Sequence, residues 1–157
     1  MRAGVISTLL VLSGSAAAAP QWNPFKILPC DQRISALAAG IHLNVQGQWA
    51  EYNGTLAVEK AETTQAGNTT AFLLAKGALE AIIQSGQNLR LFNQQIVPPG
   101  NPAIPGLNKY DAAEEVEKAL AAGLTGDYAV DKVALDSLKK DILQGIQLNT
   151  DNLKNVS

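Results

Sequence analysis

Between Thr70 and Ile96 the apolar residues Phe72, Leu73, Leu79, Ile82, Ile83, Leu89, Phe92 and Ile96 recur at steps of three and four. Lys76, Glu80, Gln84 and Asn88 mark the other side, so the pattern predicts a long amphipathic helix. An apolar face that wide needs partners along its length. A first stripe supplies one: Asp31 is suited to an N-cap, and Ile34, Leu37, Ala38, Ile41, Val45, Trp49, Tyr52 and Leu56 follow at helical spacing. Gly40 and Gly47 are its weak points. A third stripe starts from a cap at Asn108 or Asp111 and turns Tyr110, Ala113, Val116, Leu120 and Leu124 inward, with Glu114, Glu115, Glu117 and Lys118 in solvent. The fourth contains Val130, Val133, Ala134, Leu138, Ile142, Ile146 and Leu153. No segment alternates at period two over a useful length. The pattern therefore predicts an all-α fold, an antiparallel bundle of four to five helices with a Pro-rich crossing loop.

The links carry their own signals. A polar stretch from about Glu59 to Thr70 separates the first two helices. After Ile96, the run Val97-Pro98-Pro99-Gly100-Asn101-Pro102-Ala103-Ile104-Pro105-Gly106 stops any helix and stiffens the chain. Its plain role is a crossing loop. Its sharper role is a lid, with Val97, Ile104 and Leu107 over an apolar space between helices. In Leu124-Thr125-Gly126-Asp127, Gly126 suits a left-handed C-cap and Asp127 or Thr125 the next N-cap.

The chain opens with Arg2, an apolar run from Val5 to Leu12, and the small residues Ala16, Ala17 and Ala18. This reads as a secretory signal peptide over residues 1–18, because a cut after Ala19 would place Pro20 immediately beyond it. An extended arm with Trp22 and Phe25 spans 19–30, and the bundle domain spans 31–157. The apolar run is too short to span a membrane, and the final residues lack a glycolipid-anchor tail. The expected location is extracellular, with the plant apoplast as one setting. Without Arg2 the chain has eleven basic and fourteen acidic residues, net −3, and the signs are scattered. That argues against nucleic acid and anionic membrane surfaces as partners, since both need a clustered basic patch. Cys30 is the one cysteine, so no internal disulfide forms; its thiol is free or bridges to another molecule.

Candidate chemistry is sparse. His42, the single histidine, has no cysteine or acidic partner at metal-ligand spacing and reads as a helix surface residue. The acids early in the third helix read as a dipole-matched face rather than a catalytic pair. There is no phosphate loop, metal cluster or nucleophile elbow, so the expected protein is not an enzyme and uses no cofactor. Three sequons, at Asn68, Asn53 and Asn155, are candidate glycosylation sites, with Asn68 foremost because it falls at an expected turn. Gly40-Ile41-His42-Leu43-Asn44 is echoed by Gly145-Ile146-Gln147-Leu148-Asn149. Glycine admits a neighbouring helix and asparagine can bond across the contact, which makes Asn44, Asn149 and Asn93 candidates for a buried polar tie; chance in an Ala-, Leu- and Asn-rich chain explains the echo equally well.

The leader, Ile41-x-Leu43-Asn44-x-Gln46-x-Gln48, the loop ending Ala103-Ile104-Pro105-Gly106-Leu107, the Leu124-Thr125-Gly126-Asp127 turn and Leu138-Lys139-Lys140-Asp141 together resemble the small secreted all-helical proteins of filamentous ascomycetes. Within that group, resemblance to hydrophobic surface-binding protein A and wall galactomannoproteins implies binding of apolar surfaces or fatty acids inside a bundle. Resemblance to elicitors and effectors implies recognition at the plant host interface, with cell death as one result. The Ser/Thr-rich tail of the wall-anchored proteins is absent. Two roles follow: an effector that presents its folded surface to a host extracellular or receptor protein, or a carrier or coat for lipid and apolar surfaces. The carrier would use a space bounded by Ile41, Val45, Trp49, Leu79, Ile82 and Ile104. A structural secreted protein with neither role is the third reading, and the oligomeric state is left open.

Overall fold

The computed structural model describes residues 29–64 and 67–156. Within them the chain forms four helices: α1 (Cys30–Thr64), α2 (Thr69–Ile96), α3 (Ile104–Gly123) and α4 (Tyr128–Lys154). The leader and most of the arm, with Trp22 and Phe25, lie outside the described residues. α1 and α3 each pack against both α2 and α4. Two apolar clusters fix the helix directions. One joins Leu37 and Ile41 early in α1 to Ile96 at the end of α2, Leu107 early in α3 and Val156 beyond α4. The other joins Val58 late in α1 to Phe72 and Leu79 early in α2, Ala121 and Leu124 at the end of α3, and Leu135 and Leu138 early in α4. Each helix therefore runs antiparallel to its neighbours, as the periodicity predicts.

The caps explain several boundaries. Asn68 caps α2, its side chain accepting from the Ala71 amide at 3.1 Å. Asp127 caps α4, accepting from the Ala129 amide at 2.9 Å, and Gly126 before it has φ +92°. The Phe72 ring lies 2.9 Å from where a Gly126 side chain would start, so the turn needs glycine on two counts. Lys76 donates to the carbonyls of Ala122 and Leu124 at 2.7 and 2.8 Å and closes the end of α3.

Three boundaries differ from expectation. α1 runs unbroken through Gly40 and Gly47 and on to Thr64, because its inward-facing positions continue through Thr55, Val58 and Glu62. Asp31 consequently sits in its first turn rather than at its cap. α3 begins at Ile104, ahead of both Asn108 and Asp111. Pro105 falls in the first turn, where a missing N–H leaves nothing unbonded, so the last proline of the run starts the helix instead of blocking it. Ile104 and Leu107, candidates for a lid, are helix residues.

The largest correction concerns which faces point inward. The inner stripe of α1 is Leu37, Ile41, Asn44, Gln48, Glu51, Thr55, Val58 and Glu62, with Gly40 and Ala61 buried beside it; that of α3 is Leu107, Tyr110, Glu114, Glu117 and Ala121, and that of α4 Asp131, Leu135, Leu138, Ile142, Gly145, Asn149 and Asn152. Steps of four and three alternate throughout, the 3.5-residue repeat of helices packed knobs-into-holes. Glu114 and Glu117, expected in solvent, occupy inner positions at 1% and 0% exposure. Val116, Val130 and Val133, expected inside, are 52%, 63% and 76% exposed, and Trp49, Leu56 and Leu73 are exposed as well.

Glycine marks where helices approach. A side chain at Gly40 would meet the Asn93 amide oxygen at 1.9 Å, whereas Gly47 and Gly77 face open space. Alanine at Gly77 or Gly47 should therefore raise stability by about 0.5–1 kcal/mol through helix propensity. Alanine at Gly40 should lower it by about 1–3 kcal/mol through overpacking. Urea unfolding followed by circular dichroism checks both. A Gly40→Ala protein as stable as Gly77→Ala would show that Asn93 does not fill that space.

Candidate functional site

Between the two apolar clusters the inner positions of all four helices turn polar. α1 supplies Asn44, Gln48 and Glu51, α2 supplies Gln87, Arg90 and Asn93, α3 supplies Tyr110, Glu114 and Glu117, and α4 supplies Asn149 and Asn152; all are buried. Glycine makes room for them. At Gly86 of α2 a side chain would come within 2.8 Å of a Glu51 carboxylate oxygen and 3.5 Å of one from Glu114, so carboxyls from α1 and α3 converge there. At Gly145 of α4 the Gln48 amide nitrogen lies 2.0 Å from that position, and at Gly106 the Asn152 oxygen lies 1.7 Å from it.

Bonding within the layer is uneven. Arg90 donates to Glu114 at 2.6 Å and pairs with Asp111, while Gln87 donates to Glu115 at 2.9 Å, joining α2 to α3. Asn149 donates to Gln48 at 3.1 Å, joining α4 to α1, and Asn152 donates to Asn149 at 3.3 Å. Among the described residues, one Glu51 oxygen, one Glu114 oxygen and both Glu117 oxygens have no hydrogen-bond partner. Three buried carboxyls thus face one guanidinium.

An ionised carboxylate in such surroundings loses its hydration without replacement, so the proton is retained instead. Burial, then the charge of Glu114, pushes Glu51 up to about 7. Burial, then Glu51, Glu114 and Asp141, pushes Glu117 up to about 9. Glu114 is also raised by burial, though Arg90 and the Tyr110 hydroxyl work against the rise. Tyr110 is itself held far above the ordinary phenol range by burial and by Glu114 and Glu51.

A second carboxyl pair sits at the other end of α1. Asp131 accepts from the backbone amides of Thr125 and Gly126 at 2.6 and 2.8 Å and from the Thr125 hydroxyl at 3.1 Å. Burial acts to raise Asp131, but these bonds outweigh it and hold Asp131 below the usual carboxylate range. Glu62 faces it and is pushed up to about 7 by burial and by Asp131. A proton on Glu62 lets two acids share this corner, where α1 meets the turn before α4.

The candidates from the sequence scatter across the bundle. Asn44, Asn93 and Asn149 are all buried, and Gly40 does admit Asn93. Only Asn149 of the three makes a side-chain hydrogen bond to another helix, through Gln48; the amide groups of Asn44 and Asn93 have no bonding partner among the described residues. Ile41 belongs to one apolar cluster and Leu79 to the other, so they do not border a common space. Val45, Ile82 and Ile104 are half-buried, and Trp49 is 48% exposed, set edge-on to Tyr52. Asn68, Asn53 and Asn155 are exposed, as is Cys30 at the start of α1. His42 is exposed beside Gln46.

Nothing in the residue chemistry of Gln48, Glu51, Arg90, Tyr110, Glu114 or Glu117 alone marks them as site residues. One signal was present. Leu107, Tyr110, Glu114, Glu117, Ala121 and Leu124 keep the alternating step of three and four through the two acids. Among the described residues no group of three or more His, Cys, Asp or Glu is placed to hold a metal ion, and no helix is long and apolar enough to cross a membrane. No family model, curated protein or solved structure matches the chain. What the layer does chemically is hold protons.

That property sets a pH dependence. Glu51, Glu62 and Glu117 bind protons more tightly folded than unfolded, so their contribution is complete below the ordinary value of 4.5. It is lost as pH rises through about 7 for Glu51 and Glu62 and about 9 for Glu117. The midpoint of thermal unfolding should therefore fall steadily from mildly acidic to alkaline buffer, and Glu117→Gln should flatten the alkaline part. A midpoint that is level or rises over that range would show that these carboxyls are not held neutral.

Proposed function

We propose that the protein is a secreted, non-enzymatic binding protein that works through its outer surface, in the manner of an effector or elicitor met by a host extracellular or receptor protein. The observation that supports this is the division of the interior. Two closed apolar clusters are separated by a layer of amides and carboxyls, which offers a poor berth to an apolar guest. Large apolar side chains stay outside. Trp49 and Leu56 share one face of α1, and Leu73, Leu74, Val130 and Val133 are more than half exposed near the start of α2 and α4. Such side chains are what a protein partner buries first.

The same exposed residues favour a second reading, a coat on apolar surfaces. It differs from the carrier reading because it needs no internal space. Glycans on Asn68, Asn53 or Asn155 fit either role, and Asn53 lies one turn from both Trp49 and Leu56, so a glycan there would border that apolar face.

Leaf infiltration of pure folded protein, beside a Trp49→Ser/Leu56→Ser variant, tests the first reading. Cell death or an early defence response with the parent, reduced at least tenfold in titre with the variant, is expected. No response across several plant species, together with quantitative adsorption to alkane droplets, would replace it with the coat.

A further inference from the structure

The four seams of the bundle are not held alike. α1 and α4 are joined by Asn149 to Gln48 and by Lys139 to Glu59 at 2.9 Å. α2 and α3 are joined by Arg90 to Glu114 and Asp111, and by Gln87 to Glu115. α1 and α2 interlock at Gly40 with Asn93 and at Gly86 with Glu51, and Arg33 donates to the Ile96 carbonyl at 3.0 Å; α3 and α4 interlock at Gly106 with Asn152. Between α3 and α4, among the described residues, no side-chain hydrogen bond or ion pair crosses. A cleft of about 300 Å³ lies on that seam, lined by Lys109, Ala113, Val116, Asp141, Gly145 and Leu148, and clefts also lie on the α2–α3 and α1–α4 seams.

This seam borders the most crowded acids. Glu117 of α3 has both oxygens buried and unpartnered, and Asp141 of α4 and Glu51 of α1 act on it as like charges. The other groups that face it are Glu114 and Tyr110 on α3 itself, and Lys109 of α3 lines the cleft together with Asp141. Arg90 is occupied by Glu114 and Asp111, so no cation of the layer is left for Glu117 or Glu51. At 20 residues α3 is also the shortest helix.

We propose that the polar layer is a proton-operated latch: with Glu117 and Glu51 neutral, α3 is held against α4, and their ionisation opens the α3–α4 seam while Arg90 keeps α3 attached to α2. Opening gives water to the two carboxylates that have no counter-charge. The other three seams keep their ties. The bundle is therefore closed in acid and opens at one place as the medium turns neutral to alkaline. This device is independent of which partner the outer surface meets.

Hydrogen exchange followed by mass spectrometry on the full protein tests the latch. A helix of this length is marginal once detached from its partner, so an open α3 loses amide protection. After correction for intrinsic rates, opening of α3 should rise about a hundredfold between about pH 5 and about pH 7 for one carboxyl linked to it. At each pH α3 should open more often than α1 and α2, whose protection reports unfolding of the whole bundle. Glu117→Gln, which keeps the shape without the charge, should remove at least tenfold of the α3 change. The same opening free energy in all four helices at each pH would overturn the proposal, because α3 would then open only with the whole bundle. So would a pH-independent α3, or a Glu117→Gln protein with the parent's profile. If that variant does not fold, the parent's helix-by-helix profile decides alone.

Discussion

Everything in this bundle is arranged around three glutamates that share an interior with one arginine. Isolated carboxylates are too costly to bury charged, so the fold must neutralise them by pairing or by proton. Glu114 takes Arg90. Glu51 and Glu117 keep protons, and that choice fixes the geometry around them: Gly86 opens a gap for two carboxyls, and Gln48 and Asn149 bond across the opposite seam. A polar layer also fixes the sliding of the helices. Moving α3 by one seven-residue repeat toward its C-terminal end would set Glu114 or Glu117 against Leu138 or Ile83, where no polar group waits.

The layer divides the apolar interior in two, and the division limits what the inside can do. Leu37, Ile41, Ile96 and Leu107 close one end; Val58, Leu79, Leu135 and Leu138 close the other. A long apolar guest lying along the axis would have to displace Tyr110, Gln48 and the carboxyls between them. The apolar residues left over by the inner repeat, Trp49, Leu56, Leu73, Val116, Val130 and Val133, are outside. Apolar content and apolar interior are therefore different quantities in this chain, and the excess lies on the surface.

The same distinction decides what could be read from the sequence. Helix number, helix directions, the Gly126-Asp127 turn and the exposed Asn68 were legible because each has a local chemical signature: periodicity, a left-handed glycine, a capping side chain. The inner face at mid-bundle was not. Polarity served as a guide to direction, and it fails where the core itself is polar: Val116 was turned inward and Glu114 and Glu117 outward, one helical step from their true places. Position rather than chemistry held the answer, since Asn44, Gln48, Glu51 and Thr55 keep the step of four and three between Ile41 and Val58. Pro105 misled for a related reason. A proline reads as a stop, yet in a first helical turn it is a start.

Carboxyls of the opposite kind close the pH range from the acid side. Asp131 is held below the ordinary value of 3.8, so its stabilisation is present above that value and is lost as pH falls through its folded value. Asp136 and Asp151 shift the same way through Lys132 and Lys154, but they lie in solvent, where pairs contribute little. Asp131 is buried and binds the two amides that form the turn before α4, so it is the group whose protonation would loosen that corner. Glu62 beside it responds in the other direction and is settled only when neutral. An ionised aspartate and a protonated glutamate coexist in contact between these limits, which places the best-held state of the bundle in mildly acidic medium. A chain whose one cysteine allows no internal disulfide has few other means of matching its stability to its surroundings, and here the match is carried by protons.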